Sequence, residues 1–210
     1  DTKGSSGTRT GLLDTASVMG GNISMAAGRD LTIAGAKVNA SDDIVLSANR
    51  HIEIGTVKES SSNAIHFNGS GITASLNEAT LRHQGSQIQA GGNFTLNAGK
   101  TELGNLTITG SSLTAGKDLS ATATNISVLA ALDQRSFKHD AKGGGQSDAA
   151  AKSDQFVIGG LVQAGGQVTL NANAAKNGQG GKLTIQGSGV SSDSGAILLN
   201  ASKDIQILAQ

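Results

Sequence analysis

Five aspartates, Asp30, Asp42, Asp43, Asp118 and Asp204, recur beside short glycine- or serine-containing clusters. Carboxylates repeated in this way suit either calcium held between stacked turns or general acid–base work. A calcium-loaded β-roll needs the nonapeptide pattern GGxGxDxUx, which is absent. Asp in Gly-Lys-Asp and Ser-Lys-Asp is also a good turn residue that bonds its own backbone, and the turn is what we expect. His51, His66, His83 and His139 show no i, i+2 or i, i+4 pairing, so no zinc pattern emerges and solvated histidines are expected. Glu53, Lys58 and Glu59 could form the carboxylate-and-base group of a polysaccharide-cleaving groove. No second group corresponds to it, and the chain has no tryptophan or tyrosine to stack on a sugar. The glycine-rich GSSGTRTG (4–11) and KGGGQS (from Lys142) do not match the phosphate loop GxxxxGK[ST], and a linker or loop tip is expected for each. We therefore assign no catalytic, metal or cofactor-binding residue. What remains for contact is aromatic: of four phenylalanines, Phe67, Phe137 and Phe156 fall in segments that break the repeat described next, and with His66 they are the candidate receptor-contact residues.

The elements that would position them follow from self-similarity. The corner Gly20-Gly21-Asn22 returns as Gly91-Gly92-Asn93 and as Gly165-Gly166-Gln167, at spacings of 71 and 74 residues. Leu31, Leu106 and Leu183 each open an LTI triplet followed by one residue and a glycine, and Ile52, Ile126 and Ile205 open the last strand of each unit. Inside the first unit, ISMAA from Ile23 and LTIAG from Leu31 are answered 21 residues later by IVLSA from Ile44 and IEI from Ile52. Each unit thus holds two coils, and a coil carries three short strands, such as those at Val38, Ile44 and Ile52. In FTLNA the period of two puts Phe94, Leu96 and Ala98 on one face and Thr95 and Asn97 on the other.

This pattern predicts an all-β chain: a right-handed parallel β-helix of three strands per coil and about six coils, in one segment built from three tandem units (about 17–55, 86–130 and 160–210). Two insertions, 56–85 and 131–159, interrupt it and are expected to be hairpin-like, with mobile Gly/Ser/Ala-rich parts. Smaller insertions are expected at Gly99–Asn105 and Asn173–Lys182, and the amino end to Ser17 is expected to be the tail of an earlier insertion. Composition agrees. Thirty glycines, no proline or cysteine and 2% aromatic residues leave little to fill a wide core, so burial must come from stacked small aliphatic side chains. Sixteen basic and sixteen acidic residues cancel without a block of like charge, which argues against a nucleic-acid partner. No basic-then-apolar signal opens the chain and no apolar run is long enough to span a bilayer, which suits an internal fragment of something larger.

At this point SQIQAGGNFTLNAG, LTITGSSLTAGKDLSATA and AGRDLTIAGAKVNASDDIVLSA resemble the haemagglutinin repeats of filamentous haemagglutinin and of the large exoproteins of contact-dependent growth inhibition. The resemblance covers nearly the whole chain. It implies a segment of a very large Gram-negative exoprotein exported by two-partner secretion, hence a secreted or outer-surface location and an outer-membrane transporter as partner. It further implies neighbouring β-helix repeats of the same polypeptide, and an adhesive or toxin-presenting role toward a receptor on a host cell or neighbouring bacterium. The repeats of that family carry no catalytic residue to transfer.

Overall fold

The structure is a computed structural model in which residues 2–11, 14–99, 103–173 and 178–210 are described. By contact the chain divides into two units: Asp14–Val57, Gln84–Ala131 and Ile158–Gln210 form one, and Asp1–Leu13, Lys58–His83 and Leu132–Val157 the other.

A strand β1 (Thr2–Thr10) precedes the first coil, which is β2 (Ser17–Gly20), β3 (Ile23–Ala27) and β4 (Leu31–Ala34). The second coil is β5 (Lys37–Ala40), β6 (Ile44–Ala48) and the start of β7 (Ile52–Gly69); β7 is followed by β8 (Ile72–Gly85). The third is β9 (Gln87–Ala90), β10 (Phe94–Ala98) and β11 (Asn105–Thr109), and the fourth β12 (Ser112–Ala115), β13 (Leu119–Ala123) and β14 (Asn125–Leu129). After β15 (Ala131–Gly143) and β16 (Gln146–Ile158) come a fifth coil, β17 (Leu161–Ala164), β18 (Val168–Ala172) and β19 (Lys182–Gln186), and a sixth, β20 (Gly189–Ser192), β21 (Ile197–Ala201) and β22 (Asp204–Leu208).

Equivalent strands of successive coils pair in parallel, giving three ladders: β2-β5-β9-β12-β17-β20, β3-β6-β10-β13-β18-β21, and β4-β7-β11-β14-β19-β22. Parallel pairing one coil along is possible without covering helices because each coil's own corners return the chain to its start. The register matches like with like. Leu31, Ile52, Leu106, Ile126, Leu183 and Ile205 stand in one column, and Ile33, Ile54, Ile108, Val128, Ile185 and Ile207 in the next. A third column runs Ile23, Ile44, Phe94, Leu119, Val168, Ile197. Most of these side chains in the middle coils are fully buried, and each such burial stabilises by about 1.5–3 kcal/mol before side-chain entropy is subtracted. Between them Thr32, Thr95, Thr107 and Thr184 face outward with at least partial exposure. The parallel β-helix of three-strand coils expected from the repeats is thus what the chain forms.

Two kinds of corner hold the coils in register. The glycine after each LTI triplet, Gly35, Gly110 or Gly187, has φ of 58°, 50° or 56°, a left-handed corner that a side chain resists. The corner before β9, β12, β17 and β20 places a backbone turn against the interior, where hydroxyls satisfy it: the buried Ser86 Oγ donates toward the Gly55 carbonyl at 2.9 Å, and Ser111 Oγ accepts from Ser86 N–H at 3.0 Å. Ser188 Oγ likewise accepts from Gly160 N–H at 3.0 Å.

The second unit differs from expectation in its detail. The insertions are long, regular hairpins that pair with one another, in the strand order β16-β15-β8-β7-β1, with β1–β7 and β8–β15 antiparallel. GSSGTRTG is no linker, because it lies almost wholly in β1, opposite β7 from Thr2↔Asn68 to Thr10↔Ser60. The Gly/Ser/Ala-rich KGGGQSDAAAKS is no mobile loop: only Gly144 and Gly145 form the turn and the rest is strand. Both hairpins close through two residues of positive φ, Ser70 (52°) with Gly71 (74°) and Gly144 (60°) with Gly145 (79°), the turn whose twist matches paired strands. The smaller insertions expected at Gly99–Asn105 and Asn173–Lys182 fall partly on 100–102 and 174–177, outside the described residues.

Candidate functional site

The candidate contact residues lie on the five-stranded sheet, and register decides which of them share a face. Phe67 stands opposite Lys3 of β1. The two-residue turns set Gly69 against Ile72 and Gly143 against Gln146, so Phe67 faces Ala74 of β8 and Phe137 faces Lys152 of β16. Ala74 pairs with Ala141 of β15, four residues from Phe137, and Phe156 is four residues from Lys152. Since side chains alternate, Phe67, Phe137 and Phe156 occupy one face and His66 the other. The three rings do not cluster: successive ones are four residues, about 13 Å, apart along the strand direction.

Phe156 and Phe137 are 55% and 36% exposed, His66 is exposed and Phe67 half-buried, with Lys3 Nζ 5.6 Å from the Phe67 ring centre. That cation–π contact covers part of Phe67 and leaves the other two rings more open. A shallow groove of about 640 Å³ crosses all five strands at the level of Gly7, Asn63, Glu78, Phe137 and Lys152, between small residues such as Ala64 and Ala79. Its lysines are paired along the strands: Lys152 Nζ is 3.1 Å from Asp154 and Lys138 Nζ 3.3 Å from Asp140, exposed pairs that add little stability.

Asp30, Asp43 and Asp118 bind, but not as turn chemistry predicted, whereas Asp42 accepts from Ser41 Oγ of its own turn at 3.4 Å. Asp43 Oδ1 accepts from Asn93 N–H at 2.7 Å, and Asp118 Oδ1 from Gln167 N–H at 2.7 Å. Asn22 Oδ1 in turn accepts from Asp43 N–H at 3.1 Å. Each side chain bridges to the backbone of the following coil and not to its own turn, because stacking brings the next coil's N–H nearer. Asp30 does the same toward the second coil, accepting from His51 N–H at 3.2 Å and from Arg50 through both carboxylate oxygens, one at 2.8 Å. The Arg50 hydrogen bonds, above all, hold the Asp30 carboxyl well below the usual range, partial desolvation opposing them. A depressed pKa means this stabilisation is present above the ordinary carboxylate pKa and is lost as pH falls below about 4 toward the lowered value. Asp30→Asn should therefore flatten the acid limb of a urea-midpoint-against-pH curve below pH 4 and leave its neutral limb parallel to wild type.

Of the histidines expected to be solvated, His66 is exposed and the other three find partners. His83 is not solvated: its backbone N–H donates to Asp133 Oδ1 at 2.7 Å and its Nδ1 lies 3.2 Å from the same oxygen, with side-chain exposures of 10% and 19%. His51 Nδ1 accepts from Asn105 N–H at 3.1 Å, and His139 Nδ1 is 3.7 Å from Asp148 Oδ2. These partners are 9 to 54 residues away in sequence and become neighbours only through pairing of coils or hairpins. Of the carboxylate-and-base group suggested by the sequence, Glu53 belongs to the coils, in register with Thr32 and Thr107, whereas Lys58 and Glu59 belong to the sheet unit. Among the described residues no three acidic, histidine or cysteine side chains come together as a metal group.

A parallel β-helix tied coil to coil by side-chain amides, carboxylates and hydroxyls, with its insertions gathered into a sheet, defines a β-solenoid whose repeating chemistry is cohesion. The chain belongs to the hemagglutinin repeat family, whose model matches residues 4–80, 67–159 and 141–210. It is similar to a tRNA nuclease CdiA of Burkholderia pseudomallei, 31% identical over 129 residues covering 53% of this chain and 10% of that protein. The tRNA nuclease CdiA-2 of Burkholderia pseudomallei strain 1026b is 30% identical over 129 residues, 53% of this chain and 4% of its own length. The chain thus spans a tenth or less of the relatives it matches. No solved structure matches it.

Proposed function

We propose that this segment is shaft: a repeat section of a large exoprotein exported by two-partner secretion to the Gram-negative cell surface, which carries a distal adhesive or toxic module outward and has no catalysis of its own. The observation that supports it is the continuity of the inner columns. Ile205 and Ile207 occupy core positions in register with Leu183 and Ile185, yet are 47% and 68% exposed in the sixth coil. A further coil of the same polypeptide covers them in the whole protein. Its partners on this reading are neighbouring repeats and the outer-membrane transporter. Sedimentation of the 210-residue chain tests the open face. Association is expected to grow with concentration and to weaken about tenfold, about 1.4 kcal/mol, in Ile207→Glu. A chain monomeric at every concentration, with Ile205 and Ile207 amides protected from exchange, would refute the open coil end.

The shared face of Phe67, Phe137 and Phe156 favours a second reading, a receptor-binding module on the sheet. Labelled chain should then bind epithelial cells or Gram-negative bacteria saturably. Changing the three phenylalanines to alanine should weaken binding tenfold or more, about 1.4 kcal/mol or more, with the β circular dichroism unchanged. Binding that survives the triple change places no contact on this face.

A further inference from the structure

The two hairpins are equivalent to the residue. Adding 74 to any position of Lys58–His83 gives its counterpart in Leu132–Val157, turn on turn, with no gap. Over that span the sequences agree only at Ser62/Ser136, Gly69/Gly143 and Gly71/Gly145. Length and turn geometry are repeated while side chains are not, so what recurs is the backbone's capacity to pair.

The pairing recurs as well. β1 runs into the first coil, β8 into the third and β16 into the fifth, while β7 leaves the second and β15 the fourth. A strand returning to an odd coil takes as its neighbour the strand leaving the next even coil: β1 pairs antiparallel with β7, and β8 with β15. The registers are equivalent, since the shift of 74 carries Ser60, opposite Thr10, onto Gln134, opposite Leu81. Each repeat also contributes two coils and two sheet strands.

β16 is the third returning strand, and it has β15 alone as a sheet neighbour among the described residues. Its 13 residues hold no proline, and its Lys152 is paired with Asp154 along the strand. This is a long backbone edge of the kind that accepts another strand. We infer that the outer edge of β16 is a docking edge for the leading strand of a following hairpin of the same type, antiparallel and in the β8–β15 register, so that the hairpins form a second continuous sheet along the polypeptide. Since the pairing is made by backbone groups, hairpin faces can change freely without breaking the array.

The test is a chain in which residues 86–159 occur twice in tandem, followed by hydrogen exchange. The outward amides of the first β16 should exchange about 100-fold slower than in the 210-residue chain. Ser153→Cys in the first β16 with Ser136→Cys in the added copy alone should form a disulfide, and Ala149→Cys with that same Ser136→Cys should not. Unchanged β16 exchange, with the added coils protected, would overturn the inference. If the added repeat does not fold, a synthetic peptide of residues 131–143 is titrated onto the natural chain. Saturable slowing of β16 exchange, abolished by N-methylation at alternate peptide residues, supports the edge, and no slowing at saturating peptide rejects it. Neither readout depends on cell binding or on association through Ile207.

Discussion

Phe94→Ala is expected to cost about 3–5 kcal/mol, measured as a lowered urea midpoint with the slope retained. Phe94 is the one phenylalanine the helix unit uses as core, wholly buried in β10. Its column holds Ile44 on one side and Leu119 on the other, and both are also fully buried. A solenoid interior is filled mostly by Leu, Ile, Val and Ala; alanines such as Ala90, Ala115 and Ala164 stack in their own column, leaving little bulk nearby to move into a gap. The cavity therefore persists and adds to the lost transfer energy. The figure is a large part of the 5–15 kcal/mol typical of a whole domain. Phe156→Ala, at a 55% exposed position, should stay within about 0.5 kcal/mol, so the comparison separates burial from aromatic content. A loss under 1 kcal/mol at Phe94 would mean that the coils re-close around alanine, contrary to a ladder fixed on both sides.

The coils were legible because one physical rule, a period of two with small corners, repeats in every one of them. Leu31, Ile52, Leu106, Ile126, Leu183 and Ile205 can be aligned by eye and do stand in one column. The hairpins obey no such rule. Lys58–His83 and Leu132–Val157 lie in a sheet with few buried side chains, so nothing forces apolar residues into alternation, and the sequence suggests hairpin-like insertions without showing their strand bounds or that they pair with one another. Two signals were present. The Gly69-Ser70-Gly71-Ile72 turn suits a two-residue hairpin, and the 74-residue equivalence of the insertions implies a common structure. What Asp43 and His83 do was not legible in principle from local chemistry. Each finds its partner exactly one structural layer away but 50 residues along the chain, at Asn93 and Asp133.

Gly91→Ala should be among the more damaging small substitutions at the described residues, although alanine is an ordinary strand and corner residue. Gly91 has no left-handed φ, so backbone conformation is not the reason. Its N–H donates to the Ala40 carbonyl at 2.9 Å, which fixes it over the second coil, and an added Cβ would lie 2.1 Å from the Ser41 carbonyl oxygen. That obstacle is backbone and is itself held in a ladder, so no side-chain rotation relieves it. The next coils repeat the constraint: a Cβ at Gly116 would meet the Gly91 oxygen at 2.2 Å, and one at Gly165 the Gly116 oxygen at 2.4 Å. Relief at one coil therefore means displacement of its neighbours. We expect a loss at or above the upper end of the about 1–3 kcal/mol that overpacking usually costs, read from urea unfolding. Gly28→Ala is the control, since a Cβ there meets nothing within 4 Å and its φ is not left-handed. It should be neutral or stabilise by up to about 1 kcal/mol through the unfolded chain. Equal effects at the two glycines would show that the Gly-Gly corner serves chain flexibility; the expected inequality shows that it serves the distance between coils, the quantity on which every ladder in the helix depends.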